Sequence, residues 1–114
     1  MSYQVSISRD MRGALNAETC IPLGQNRREL RISTRKTSRG MVCSAMAVQV
    51  SEDGRSYMFA PFSDFGRTLA HDRAARCTEK TVRAMHAAGL AQADDLIRAA
   101  SAHYSPAQSA AVPA

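Results

Sequence analysis

Apolar and polar residues alternate in two stretches of this chain, and a period of two places successive side chains on opposite faces of a β-strand. The first stretch covers residues 2–8, where the apolar positions are Tyr3, Val5 and Ile7. The second covers residues 30–34, where Leu30 and Ile32 alternate with arginine and serine. The β-branched residues of the second stretch favour a strand there. A helix over 26–36 is the alternative, since residues four apart also share a helix face.

Residues 41–50 are apolar or small at nearly every position. A strand that is apolar on both faces is typical of the centre of a sheet or of an interface. Asp53-Gly54 follows, and this dipeptide favours the two-residue turn of a β-hairpin. The return strand is predicted over 56–62, as an edge strand or one that ends at Pro61, because proline cannot donate to a strand ladder.

Two segments have no clear period. Residues 9–26 contain Gly13, Pro22 and Gly24 as breaks, and they are predicted to form a helical turn or an irregular excursion. Residues 63–76 are compatible with a loop, a short strand near 67–71 or an early helical turn.

The C-terminal third predicts one long amphipathic helix that ends near Tyr104. Thr78 is a suitable N-cap, and apolar residues follow at spacings of three and four from Val82 onward. Gly89 interrupts this pattern at a cost of about 1 kcal/mol relative to alanine, which indicates close packing at that point. Residues 105–114 contain alanine, serine and proline but no charge, and they are predicted to be a disordered tail.

This order of elements predicts a single α+β domain over residues 1–104. Its two layers are a twisted antiparallel β-meander of three to four strands and one long C-terminal helix packed against it. The helix covers one face of the sheet. Residues 9–26 or a second copy of the chain would cover the other face, so a homodimer is one of the expectations.

Charge is concentrated in one segment. The chain has a formal net charge of +5, and residues 27–39 alone account for it with six basic residues and one acidic residue. Four of the arginines, at positions 27, 31, 35 and 39, recur every fourth residue and would share one face of a strand. We call residues 27–39 the arginine row, and its candidate binding residues are Arg27, Arg28, Arg31, Arg35, Lys36 and Arg39.

Guanidinium groups bind phosphate in a bidentate manner and stay protonated. The arginine row therefore predicts a small non-enzymatic protein that contacts the phosphate backbone of nucleic acid. The alternative is a protein-interaction module, a regulator or inhibitor, that docks on an acidic partner surface. A third reading is a solvated strand whose charges guard an exposed edge. The segment has no interleaved aromatic residues, so contact with a duplex backbone is favoured over base stacking.

Few other residues of the sequence are candidates for catalysis or metal binding. The three cysteines lie far apart and form no C-x-x-C motif, which predicts no disulfide, no metal site and a reducing cytoplasmic location. Cys77 precedes a helix start, where thiols are activated, but packing is the commoner role there. His86 lies on the apolar stripe of the helix and is predicted to be a core residue. We expect no catalysis and no cofactor, because the sequence contains no nucleophile–base pair and no glycine-rich loop. We expect no membrane association, because it contains no run of eighteen apolar residues.

Overall fold

A computed structural model describes residues 3–24, 27–50, 57–59 and 65–111, with the backbone alone for 57–59 and 103–111. These residues form six strands and two helices in chain order: β1 (Ser6–Arg9), β2 (Leu15–Pro22), β3 (Arg28–Thr37), β4 (Gly40–Val50), β5 (Tyr57–Phe59), β6 (Gly66–Asp72), α1 (Glu79–Leu90) and α2 (Ala93–Ala111).

All six strands belong to one antiparallel sheet. β1, β2, β3 and β4 are neighbours in chain order, and the second edge of β4 is shared by two strands. β6 pairs with residues 41–46 of β4, and β5 pairs with residues 48–50 of β4. The predicted α+β architecture and the central position of 41–50 are confirmed, although the sheet has more strands than the three to four expected. The Asp53-Gly54 turn lies outside the described residues.

The excursion predicted at 9–26 is wrong, because most of this segment is a strand. β2 buries the alternating residues Leu15, Ala17, Thr19 and Ile21 and pairs with both β1 and β3. Alanine and threonine carry little hydrophobic signal, so the alternation is weak in the sequence. Since β2 lies within the sheet, it does not cover the face opposite the helices.

The single long helix is also corrected, to two helices with a break at Ala91 and Gln92. The amide of Gln92 donates to the Gly89 carbonyl three residues earlier, which tightens the last turn and ends α1. The predicted N-cap is confirmed, since the Thr78 hydroxyl accepts a hydrogen bond from the Thr81 amide at 3.2 Å. α2 includes residues 105–111, and the disorder of the 105–114 segment stays a prediction.

One face of the sheet carries the core, and both helices pack on it. Buried side chains from the central strands, among them Leu30, Ile32 and Ala45, meet Leu96 and Ala100 of α2. α1 approaches closely at Gly89, where an added Cβ would clash with the Cys43 sulfur. The close packing predicted at this glycine is therefore confirmed.

A polar group lies inside this core. Both ring nitrogens of His86 bond to buried hydroxyls, Nε2 to Thr19 Oγ1 at 2.8 Å and Nδ1 to Thr34 Oγ1 at 2.9 Å. The three side chains are at most 2% exposed. The prediction that His86 is a core residue is confirmed, and the threonines supply the partners that a buried imidazole requires.

This buried imidazole predicts a loss of stability in mild acid. Burial lowers the pKa of His86 from its usual 6.5, an effect only partly opposed by the charge of Glu18. The unfolded chain therefore takes up a proton at this site before the folded one does. The stabilisation that arises from this pKa difference at His86 is complete above pH 6.5. Below that pH the free energy of unfolding falls by at most about 1.4 kcal/mol per pH unit, until the lower pKa of the folded protein is reached.

Urea unfolding at several pH values measures how the free energy of unfolding changes with pH. We expect the decrease below pH 6.5 to disappear in His86→Leu and to persist in His71→Gln, which alters an exposed histidine. An unchanged slope in His86→Leu would assign the acid sensitivity to other groups.

Candidate anion-binding surface at the hairpin end of the sheet

The six basic residues predicted as a site do not lie together. β3 contains ten residues, so its two ends are about 30 Å apart. Arg27 and Arg28 lie at one end of the strand, and Arg31 lies in the middle. Lys36 lies at the other end with Arg35, and Arg39 belongs to the turn that follows.

Arg27 departs from the strand geometry that a continuous row requires. Its backbone has a φ of 56°, in the left-handed region. Its Nε donates to the carbonyl of Val50 at 3.2 Å, and its own carbonyl accepts from the Val50 amide at 2.9 Å. The side chain therefore fastens the start of β3 to the end of β4.

Arg31 and Arg35 share the face of the sheet opposite the helices, as the period of two predicts. Arg31 is held by two carboxylates, Glu18 at 3.1 Å and Glu29 at 3.4 Å, and its side chain is only 19% exposed. Nearby, burial raises the pKa of the Cys20 thiol, and the positive charge of Arg31 opposes this shift. The charge of Arg31 is therefore balanced within the fold, whereas Arg35 is exposed.

Antiparallel pairing brings three separate connections to one end of the sheet. The register places Arg9 opposite Leu15, Lys36 opposite Met41, and Met41 opposite Asp72. The β1–β2 loop (10–14), the β3–β4 turn (38–39) and the β6–α1 loop (73–78) therefore follow at the same end. We call this region, together with the strand ends and the first helical turn that border it, the hairpin end.

The hairpin end carries the whole net charge of the chain. It contains eight exposed basic residues and three acidic ones, Asp10, Asp72 and Glu79. The rest of the sequence contains seven of each sign. The eight basic residues are Arg9, Arg12, Arg35, Lys36, Arg39, Arg73, Arg76 and Lys80.

The acidic groups of the hairpin end are occupied by other partners. Asp10 accepts from the backbone amides of Arg12 and Ala14 at 2.8 and 2.9 Å. Asp72 accepts from two amides of the following loop, and Glu79 pairs with Arg83 at 3.1 Å. Among the described residues, no carboxylate makes an ion pair with any of the eight basic side chains. This concentration of charge can therefore attract anions.

A groove runs between the first two connections and has a volume of about 540 Å³. Asp10, Arg12 and Gly13 line it from the β1–β2 loop, and Lys36, Thr37 and Ser38 line it from the β3–β4 hairpin. Cys77 also lines it, and its thiol donates to the carbonyl of Leu15 at 3.4 Å. The groove thus combines cationic groups with the exposed Ser38, a residue type that commonly contacts phosphate.

Five of the eight basic residues lie outside the arginine row, and the charge pattern along the sequence does not indicate them. Arg9 and Arg12 flank one turn, and Arg73, Arg76 and Lys80 follow β6. They are isolated in sequence and form no charge run. A signal did exist for Arg9 and Arg12, because the β1–β2 and β3–β4 connections of an antiparallel meander lie at the same end, but it required β2 to be recognised. The β6–α1 loop joins them only because β5 and β6 run in the same direction, both antiparallel to β4.

The described residues contain no cluster of three or more side chains suited to holding a metal ion, and none of their helices is long and apolar enough to cross a membrane. Comparisons with protein-family models, curated proteins and solved structures give no match for this chain.

Proposed function

We propose that this protein is a small non-enzymatic module that binds the phosphate backbone of duplex nucleic acid through the hairpin end. The observation that carries the proposal is the net charge of +5 gathered from three connections onto one exposed end of the sheet. Three members of the arginine row, Arg35, Lys36 and Arg39, belong to this surface. The proposed site excludes Arg27, Arg28 and Arg31.

The spacing of the hairpin end suits a duplex. Neighbouring strands are about 4.8 Å apart, so the β1–β2 loop and the β3–β4 turn are centred about 10 Å from each other. DNA grooves are about 6 and 12 Å wide, and basic side chains on the two connections would reach phosphates on both sides of a groove. The segments of the hairpin end contain no aromatic residue on which single-stranded bases would stack.

The proposal predicts a salt-dependent affinity that maps to particular residues. Contacts with four to five phosphates give a slope of about −4 when log K is plotted against log salt concentration. Replacing both Lys36 and Arg39 with alanine should flatten this slope by about two and weaken binding to every duplex sequence alike. Fluorescence anisotropy with a labelled duplex of about 20 base pairs measures both effects.

One double variant, Arg67→Ala with Arg98→Ala, serves as a control that removes the same two positive charges. Arg98 pairs with Asp95 on α2, and Arg67 stacks on the Phe65 ring, both away from the hairpin end. This double variant should leave the slope of log K against log salt concentration unchanged. Arg31→Ala separates the two possible surfaces, because the arginine row predicts a slope flatter by about one and the hairpin end predicts no change.

The same experiment separates nucleic acid from an acidic protein partner. Absence of duplex binding at about 50 mM salt would contradict the proposal. A partner that is retained after nuclease treatment and lost with the Lys36/Arg39 double variant would then favour the protein-interaction alternative.

A further inference from the structure

The β1–β2 hairpin presents a large apolar side chain at its tip. Met11 is 103% exposed, whereas Met46, the other large apolar side chain found exposed among the described residues, is 39% exposed. A single exposed apolar residue is ordinary on a protein surface. Met11 differs because it lies between Arg9 and Arg12, in the turn of the β1–β2 hairpin at the hairpin end.

The loop that carries Met11 is tightly hydrogen-bonded. Asp10 donates its amide to the Ala14 carbonyl at 2.9 Å and accepts from the Gly13 amide at 3.0 Å. Gly13 has a φ of 83°, so the loop has the features of a turn followed by a G1 bulge. The Asp10 carboxylate and the Arg9 guanidinium, which donates to the Gly13 carbonyl at 2.7 Å, brace the same loop. The methionine is therefore held outward on a fixed support.

A rigid tip that combines methionine and arginine has the chemistry of a minor-groove wedge. Proteins that bend DNA insert apolar side chains between base pairs from the minor groove, while neighbouring arginines contact the groove. One inserted side chain is sufficient for this role. It is insufficient for a membrane, because even a whole myristoyl chain gives only marginal binding to a bilayer.

We propose that Met11 inserts between two base pairs of duplex DNA and kinks it, with Arg12 in the minor groove beside it. This inference rests on the proposed function, since the basic residues of the hairpin end hold the duplex against the tip. Met11 then adds deformation of the DNA to an otherwise electrostatic contact. Such a wedge favours flexible pyrimidine–purine steps and DNA that is already unstacked.

Bending and binding are measured separately on one duplex of about 30 base pairs with fluorophores at both ends. We expect the wild-type protein to raise energy transfer between the ends. Met11→Ala should bind with the same salt slope and leave energy transfer at the level of free DNA. Met11→Leu keeps an apolar wedge and should retain the bend. Met46→Ala is the matched control, because this exposed methionine lies in β4 on the sheet face opposite the helices.

A second readout uses a duplex with two unpaired bases at its centre. Because the unstacking cost is already met there, wild-type protein should bind it about tenfold more tightly than the intact duplex. Met11→Ala should bind both nearly equally. Equal energy transfer with wild type and Met11→Ala, or a preference that survives this substitution, would overturn the wedge while leaving the phosphate contact intact. A wild-type protein that binds no duplex would overturn both proposals.

Discussion

Replacing His86 with alanine should lower the free energy of unfolding by about 3–5 kcal/mol. The substitution empties a site that is 1% exposed and leaves the Thr19 and Thr34 hydroxyls without their imidazole partner. Each buried group without a partner costs about 1–3 kcal/mol, and the cavity adds to this. Urea unfolding followed by circular dichroism measures the loss.

An apolar replacement of the whole network distinguishes the hydrogen bonds from the cavity. His86→Leu fills much of the volume but still removes the imidazole partner of both hydroxyls, so it should remain clearly destabilised. Adding Thr19→Val and Thr34→Val removes the two hydroxyls that have lost the imidazole and should recover much of the stability, because a buried polar network and an apolar one of the same shape are nearly equivalent. If the triple variant were no more stable than His86→Leu, the threonines would not be the relevant partners.

Replacing Gly89 with valine should cost about 3 kcal/mol. An added Cβ would clash with the Cys43 sulfur and would lie 3.3 Å from Leu69 Cδ1. Valine adds two further methyl groups at this contact between α1 and the sheet, where neither element can move without disturbing the core. Thermal and urea unfolding measure the loss.

A graded series identifies the clash as the cause. Gly89→Ala gains about 1 kcal/mol of helix propensity, which offsets part of its clash. Cys43→Ala removes the sulfur atom, so Gly89→Ala should be less destabilising in a Cys43→Ala background than in the wild type. An equal effect of Gly89→Ala in both backgrounds would show that the sulfur contact is not what excludes a side chain.

Most elements were predictable where the local pattern was strong. The alternation around Leu30 and Ile32 and the apolar run of 41–50 gave the two central strands, and Thr78 gave the start of the first helix. β2 was not predictable because two of its four core-facing residues are Ala17 and Thr19. Thr19 is suited to the core only because His86, 67 residues away, bonds to it.

The candidate site was predictable only in part. Charge density along the sequence indicated the arginine row, and three of its members lie on the hairpin end. The linear pattern could not show that Glu18 from β2 balances Arg31, nor that Arg27 leaves the strand. Both depend on strand pairing across residues distant in the chain.

By itself, the sequence determined an α+β domain with a central strand at 41–50, a helix that begins after Thr78, a core histidine at position 86 and an excess of five positive charges. These follow from local periodicity, capping and composition, which each segment carries independently of the others. Tertiary structure decided where the charge gathers. Antiparallel pairing turns the chain back from β1 to β4, and both β5 and β6 run antiparallel to β4, so the β1–β2, β3–β4 and β6–α1 connections meet at one end of the sheet however far apart they lie in sequence. That arrangement joins Arg12, Lys36 and Arg73 into one surface and separates them from Arg28.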